Sequence, residues 1–282
     1  MNTILLPTDF SDASITAGKY ALGFAKQVNA KKIILYHTYV VPINFNVIPT
    51  EPVLIDDDVA DFEIMKESAI NELKIFKEKL NTDAFTEIEI VDLINYGFFT
   101  EDIKKAQSEV NANIIILGIN GGGAFTENII GSDTVVVARQ STVPVIIVPN
   151  KSEYTGINKV ALISDFIDIE ASVPTKQIKD LLDETKAQLH ILHVAKNASN
   201  RIDKMSVEYE QFNNLFNGYN PLFHFEEALV FADGVNDFVE SESIDLVIII
   251  PKKHNLIESL FIKSHTKELA FHSHKPLLVV HS

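Results

Sequence analysis

Apolar residues along the chain follow two alternating patterns. Short runs such as Ile4-Leu5-Leu6, Ile33-Ile34-Leu35, Ile114-Ile115-Ile116 and Val145-Ile146-Ile147-Val148 are apolar at every position, as in strands covered on both faces. Between them lie longer stretches in which apolar residues return every three or four positions. Ala17, Ala21, Phe24 and Val28 share one face of a helix for which Ser11 is the expected N-cap. A second helix is expected from about 57 to 80, with Phe62, Ala69, Leu73, Phe76 and Leu80 as its buried stripe. Asp56, Asp57 and Asp58 suit the positive end of that helix. A strand over 87–94, a short helix, a strand over 113–117, a helix from about 132 and a closing strand complete the first half. Thr134-Val135-Val136-Val137-Ala138 reads locally as strand, but the alternation requires a helical crossover there.

Alternating strands and helices specify an α/β protein with a mostly parallel sheet covered on both faces. Such sheets bind ligands beyond the carboxyl ends of their strands, where the winding direction switches. Asp9 and Gly118 each follow a strand directly, which places both on that rim.

The pattern then repeats. TILLPTDFSD (3–12) resembles KVALISDFID (159–168), and KIILYHT (32–38) resembles QLHILHV (188–194), so that Asp9 falls on Asp165 and His37 on His193 in one register. STVPVIIVP (141–149) matches SHKPLLVVH (273–281), and Asn95-Tyr96-Gly97 is paired with Ala232-Asp233-Gly234, which puts a loss of about twenty residues between the second and third strands. Two domains are expected, 1–150 and 157–282, joined through the polar stretch NKSEYTGI. His37 and His193, in register at strand ends, suggest a repeated hydrogen-bonding role.

Five of the eleven glycines lie in LGINGGGAFTENIIGSD, residues 117–133. The stretch lacks the Gly-Lys-Ser/Thr of a Walker A loop and follows a late strand, unlike a dinucleotide fingerprint. Its spacing is Gly118, two residues, Gly121, nine residues, Gly131-Ser132. Glycines at 118 and 121–123 permit close backbone approach, and Gly131-Ser132 would open a helix whose free N–H groups face an anion. The same pattern also suits a flexible surface loop.

Composition narrows the partners. The formal net charge of −15 repels nucleic acid and anionic lipid, so a polyanion could bind only in a local cradle. No cysteine is present, which excludes disulfides, thiolate metal sites and cysteine nucleophiles. Neither a signal peptide nor a membrane-spanning run is evident, and a cytoplasmic protein is expected.

The chain resembles a tandem universal stress protein. The residues that carry the likeness are PTDFSD, IILYHT, the spaced glycines of 118–132 and the closing STVPVIIVP, and it extends over nearly the whole chain. The resemblance implies two Rossmann-like domains of five parallel strands, paired through their last strands as an intramolecular pseudo-dimer, with further pairing into a homodimer open. It also implies an adenine nucleotide in the first domain. Asp9 would face base and ribose, Thr38 would offer backbone contacts to adenine, Gly118 would approach the ribose, and Gly121, Gly131 and Ser132 would hold phosphates. Asp9 could equally be a helix cap. Family members often carry a basic residue just after the second glycine, where this chain has Gly122. ATP would then depend on backbone dipoles and a divalent cation, magnesium or manganese, with ADP or AMP as alternative ligands.

In the second half Pro251 is expected near the place of Gly118, Lys253 or His254 at Gly121, and Lys263-Ser264 at Gly131-Ser132, so that half should not bind ATP in the family manner. Lys252, Lys253, Lys263, Lys267 and Lys275 could form a basic patch there. The histidines 254, 265, 272, 274 and 281 do not have convincing metal-ligand spacing, and no catalytic set is assigned. The expected function is regulatory nucleotide binding in stress response. Slow ATP hydrolysis or adenylyl transfer, and a ligand-free interaction module, are the alternatives.

Overall fold

A computed structural model describes residues 1–40, 56–119, 132–196, 206–251 and 275–281. The expected proline-rich passage 42–55, glycines 121–123 and 131, and most of the second-half basic and histidine residues lie outside them. The elements are β1 (Thr3–Pro7), α1 (Asp12–Gln27), β2 (Lys32–Tyr39), α2 (Asp56–Leu80), β3 (Glu89–Tyr96), α3 (Phe99–Glu109), β4 (Ile114–Gly118), α4 (Ser132–Gln140) and β5 (Val145–Val148), followed by β6 (Lys159–Ile163), α5 (Ile169–Ser172), α6 (Thr175–Thr185), β7 (Gln188–Ala195), α7 (Ser206–Leu215), β8 (Leu222–Glu227), α8 (Phe231–Ser241), β9 (Leu246–Ile249) and β10 (Leu277–Val279).

The strands form one ten-stranded sheet in the order β3-β2-β1-β4-β5-β10-β9-β6-β7-β8. Each half is a parallel set of five, and the halves meet at the antiparallel pair β5–β10. That one antiparallel seam turns the carboxyl rims of the two halves toward opposite edges of the sheet. The all-apolar strands are buried on both faces, as their composition requires: Ile4, Leu5 and Leu6 and Ile114, Ile115 and Ile116 are fully covered. One layer carries α1, α2, α6 and α7 around Phe24, Leu73, Phe76, Ile178 and Phe212, and the other carries α3, α4 and α8 around Ile103, Val137 and Val235. Each layer's core runs without interruption across the seam. Ser11 caps α1, its side chain accepting from Ser14 N, and the ambiguous 134–138 segment is helix.

Strand register corrects two of the sequence pairings. Gly97 N donates to Tyr39 O, and Ala228 N donates to Ala195 O. Ala228 rather than Gly234 is therefore the counterpart of Gly97, and the deletion between second and third strands is longer than twenty residues. Gly234 lies inside α8, where a Cβ would come 2.7 Å from Val194 Cγ1. Likewise, Ile115 pairs with Val145 and Gly118 with Val148, while Val247 pairs with Leu277 and Ile248 with Leu278. Ile250, not Pro251, then occupies the place of Gly118.

The second half holds a histidine pair, His190 buried and His224 half-buried, on the α8 side of β7 and β8. His190 Nδ1 lies 3.0 Å from His224 Nε2, with the rings stacked at 4.9 Å. Burial pulls both below the ordinary histidine range, aided for His190 by His224 and opposed for both by Glu242. Both are therefore neutral in the fold near neutrality. The unfolded chain takes up protons as the pH falls through about 6.5 before the folded one does, so stability present above that value is lost on acidification. Thermal melts between pH 7.5 and pH 5.5 should show this loss, and His224→Gln should reduce it; an unchanged slope would refute the assignment.

Candidate functional site

The switch in strand order falls between β1 and β4, and the crevice beyond their carboxyl ends is built mainly by the turn after β1. Thr8 N makes the last rung to Tyr36 O, at 2.9 Å. The chain then turns sharply. Thr8 Oγ1 accepts from Phe10 N at 3.0 Å, and Phe10 adopts φ 65°, a left-handed conformation costing a bulky residue about 1–2 kcal/mol. Ring packing offsets that cost, because Phe10 lies 4.4 Å from His37 and 6.0 Å from Phe76.

Asp9 is exposed at the apex of this turn. Its Oδ1 accepts from Ser11 N at 3.1 Å, from Ser11 Oγ at 2.6 Å and from Ser14 Oγ at 2.6 Å. Asp9 is thus fastened to the start of α1, as the capping alternative anticipated. The fastening also fixes where its carboxylate stands on the rim.

Thr38 lies two residues past that last rung. Peptide groups of one strand face alternate sides with a period of two, so Thr38, like Tyr36, directs its N–H and C=O toward the β1 side. There β1 has already turned away. His37 Nδ1 lies 2.8 Å from Thr8 O, so the histidine satisfies the carbonyl that a continuing ladder would have offered to Thr38 N–H. The repeated histidine role is found in both halves, since His193 Nδ1 lies 3.0 Å from Ser164 O.

Gly118 ends β4 against α1. A Cβ there would lie 2.3 Å from Ala13 O and 2.5 Å from Ala13 C. The fold itself therefore demands this glycine, beside any ligand-facing role: backbone approach of α1 to β4 requires it. The second half solves the same junction differently. Its helix is interrupted after α5, at Val173-Pro174, and Ile250 is buried in the same cluster as Ile169 and Val173. Asp165 repeats the turn, accepting from Ile167 N at 3.0 Å, with Phe166 at φ 60°. Ile167 stands where Ser11 stands in the first half, so no hydroxyl is supplied there.

Ser132 opens α4, with Asp133 in the first turn. Gly121 and Gly131 lie outside the described residues; of the expected set, Asp9, Thr38 and Gly118 stand at or just past the carboxyl ends of β1, β2 and β4, and Ser132 begins α4. The far end of α4 carries a contact that the sequence did not disclose. His281 Nε2 lies 2.6 Å from Ala138 O, and Gln177 holds His281 through both backbone groups at 3.1 Å. The second half thereby anchors the last turn of α4. Burial keeps His281 below the usual histidine range, hence neutral. Its only sequence signal was its place beside the final strand.

Among the described residues no cluster of three or more metal-ligating side chains occurs, and no helix is long and apolar enough to cross a membrane. A parallel sheet with its crevice at the β1/β4 switch defines an α/β protein of the Rossmann-like kind. The profile of the universal stress protein family matches residues 1–149, and the chain belongs to that family. It is 29% identical over 162 residues to a universal stress protein of Methanocaldococcus jannaschii, spanning 53% of this chain and 95% of that one. Two solved structures share the full-length architecture. A universal stress protein from Archaeoglobus fulgidus is 21% identical with TM-score 0.72, covering 99% of this chain and 98% of its own. A Pseudomonas aeruginosa structure described as a putative universal stress protein is 13% identical with TM-score 0.59, covering 100% and 93%. Both halves therefore have the universal stress protein fold in tandem.

Proposed function

We propose that the first half, taken as residues 1–150, binds an adenine nucleotide as a regulatory ligand, and that the second, 157–282, serves as its non-binding partner. The observation that carries this reading is the splayed end of β1 and β2. It leaves the Thr38 peptide groups facing a gap bordered by Asp9, with Gly118 at the end of β4 on the other side of β1. A base can take backbone hydrogen bonds at Thr38, and Asp9 can accept from ribose hydroxyls. Gly121, Gly131 and Ser132 would supply N–H groups to phosphates. Asp133 in the first turn of α4 and Gly122 in place of a cation both disfavour a bare triphosphate. ATP would thus bind with magnesium or manganese, and ADP or AMP would bind with less dependence on metal.

The three bonds on Asp9 Oδ1 commit that oxygen as an acceptor, which supports a binding role over general-base catalysis. Titration calorimetry with ATP, ADP and AMP, each with and without magnesium, tests the reading. Saturable binding to the intact chain, weakened about tenfold or more by Gly121→Val plus Gly131→Val, is expected. Absence of binding, and of any nucleotide released from the purified protein, would refute it.

A further inference from the structure

The turn that joins α7 to β8 carries Asn217-Gly218, one of two Asn-Gly pairs in the chain, the other being Asn120-Gly121 outside the described residues. The last helical bond of α7 runs from Phe216 N to Phe212 O at 2.9 Å, and Tyr219 N then donates to Phe216 O at 3.0 Å. Gly218 has φ 90°, close to what the third residue of a type II turn needs, and a Cβ there would meet nothing within 4 Å. The peptide from Asn217 to Gly218 is thus the middle one of the turn, and the bond that closes the turn does not use its N–H. Among the described residues neither Gly218 N nor the Asn217 side chain makes a hydrogen bond, and both residues are exposed.

An asparagine side chain and the peptide nitrogen that follows it are one bond short of a five-membered ring. A fold prevents closure by fixing that nitrogen in a hydrogen bond, and a side chain on the next residue crowds the approach. Ala30 N, Ala112 N and Lys159 N, which follow Asn29, Asn111 and Asn158, donate to Ala25 O, Gln107 O and Asp245 Oδ2 at 2.8, 3.0 and 3.0 Å. Asn213 and Asn214 lie within α7, and Asn220 precedes Pro221, which has no N–H. Asn217 is under neither restraint, because its neighbour has no Cβ and an untied nitrogen.

We infer that Asn217 is a site of spontaneous covalent modification in the folded chain, at which its side-chain amide is lost. Gly218 N gives its proton to solvent base and attacks Asn217 Cγ. The Cγ–Nδ2 bond breaks and the amide takes up a proton and leaves as ammonia, so that a succinimide closes within the turn. Water then opens either carbonyl, giving aspartate, or isoaspartate in which the main chain runs through the side-chain carbon. Both products add a carboxylate to a chain whose formal net charge is already −15. They differ in the backbone, since isoaspartate lengthens the turn by one methylene between two anchored rings. Phe216 is fully buried, and Tyr219 Oη donates to Asp183 at 2.9 Å with Lys179 6.0 Å over its ring. The reaction does not depend on nucleotide binding by the first half.

The full chain, held folded in mildly alkaline buffer, is expected to convert Asn217 at a rate within about tenfold of the same chain unfolded in urea. Peptide mapping by mass spectrometry, with fragmentation that separates aspartate from isoaspartate, reads this position apart from Asn120. Both products should appear at 217, while Asn29, Asn111 and Asn158 stay intact in the folded chain over the same period. Gly218→Ala puts a methyl beside the attacking nitrogen and should slow the conversion about tenfold or more. If Gly218→Ala fails to fold, the comparison of folded with unfolded parent decides. Protection of Asn217 by more than about tenfold in the folded parent would overturn the inference. So would aspartate without isoaspartate, which means direct hydrolysis, or an unchanged rate in folded Gly218→Ala.

Discussion

Gln27→Ala is expected to lower the stability of the whole chain by roughly 2–4 kcal/mol. One amide joins three parts of the molecule. From the last residue of α1, its Nε2 donates to Ile157 O at 2.9 Å and to Thr185 O at 3.3 Å, and its Oε1 accepts from Ile157 N at 2.8 Å and from Tyr154 Oη. Ile157 is 1% exposed, so truncation strands a buried peptide N–H and C=O together. Tyr154 also packs edge-on to Tyr20 at 4.8 Å and lies over Gly23, which ties the connection between the halves to α1. In calorimetry the drop should amount to roughly 3–7 °C for a chain of this size. A shift within error would mean that water replaces the amide and that the connection is not fastened in this way.

Gly118→Ala should cost about 2–3 kcal/mol and should weaken nucleotide binding as well. The added methyl would have to displace the backbone of Ala13, since it would stand 2.3 Å from a carbonyl oxygen that cannot rotate away. Moving the first turn of α1 moves Ser11 and Ser14, and with them the hydrogen bonds that hold Asp9. Gly121 and Gly131 are expected to behave otherwise, losing ligand without losing stability. Melting curves and calorimetry on the same samples separate the cases. A Gly118→Ala protein that melts like the parent would show that α1 can shift freely, and would return this glycine to a purely ligand-facing role.

Both predictions show where reading the chain stopped short. The strands were legible because burial on two faces demands unbroken Ile and Val, and α1 because Ser11 and the Ala17/Ala21/Phe24 stripe agree. The histidine pair in register was legible too, since His37 and His193 do the same work on Thr8 and Ser164. Asn95-Tyr96-Gly97 was misplaced on Ala232-Asp233-Gly234 because a glycine in a helix and a glycine after a strand look alike in a one-dimensional match. Pro251 was taken for the counterpart of Gly118 because only strand register, Val247 on Leu277, separates it from Ile250. Gln177 gave no signal and His281 none beyond its place beside the final strand, because side chains that bind backbone across 104 or 143 residues leave no local pattern.

The sequence by itself determined the alternating α/β class, the repeat, the family and the candidate set Asp9, Thr38, Gly118, Gly121, Gly131 and Ser132. Class and repeat follow from local periodicity and turn chemistry, which the chain carries residue by residue, while the family and the candidate set are what the resemblance of its motifs implies. Tertiary structure alone decided that the two five-stranded halves share one sheet through β5 and β10 and that Gly118 serves the approach of α1. Those features depend on which backbones come within contact of each other, and contact between distant segments is set by packing rather than by neighbours in the chain.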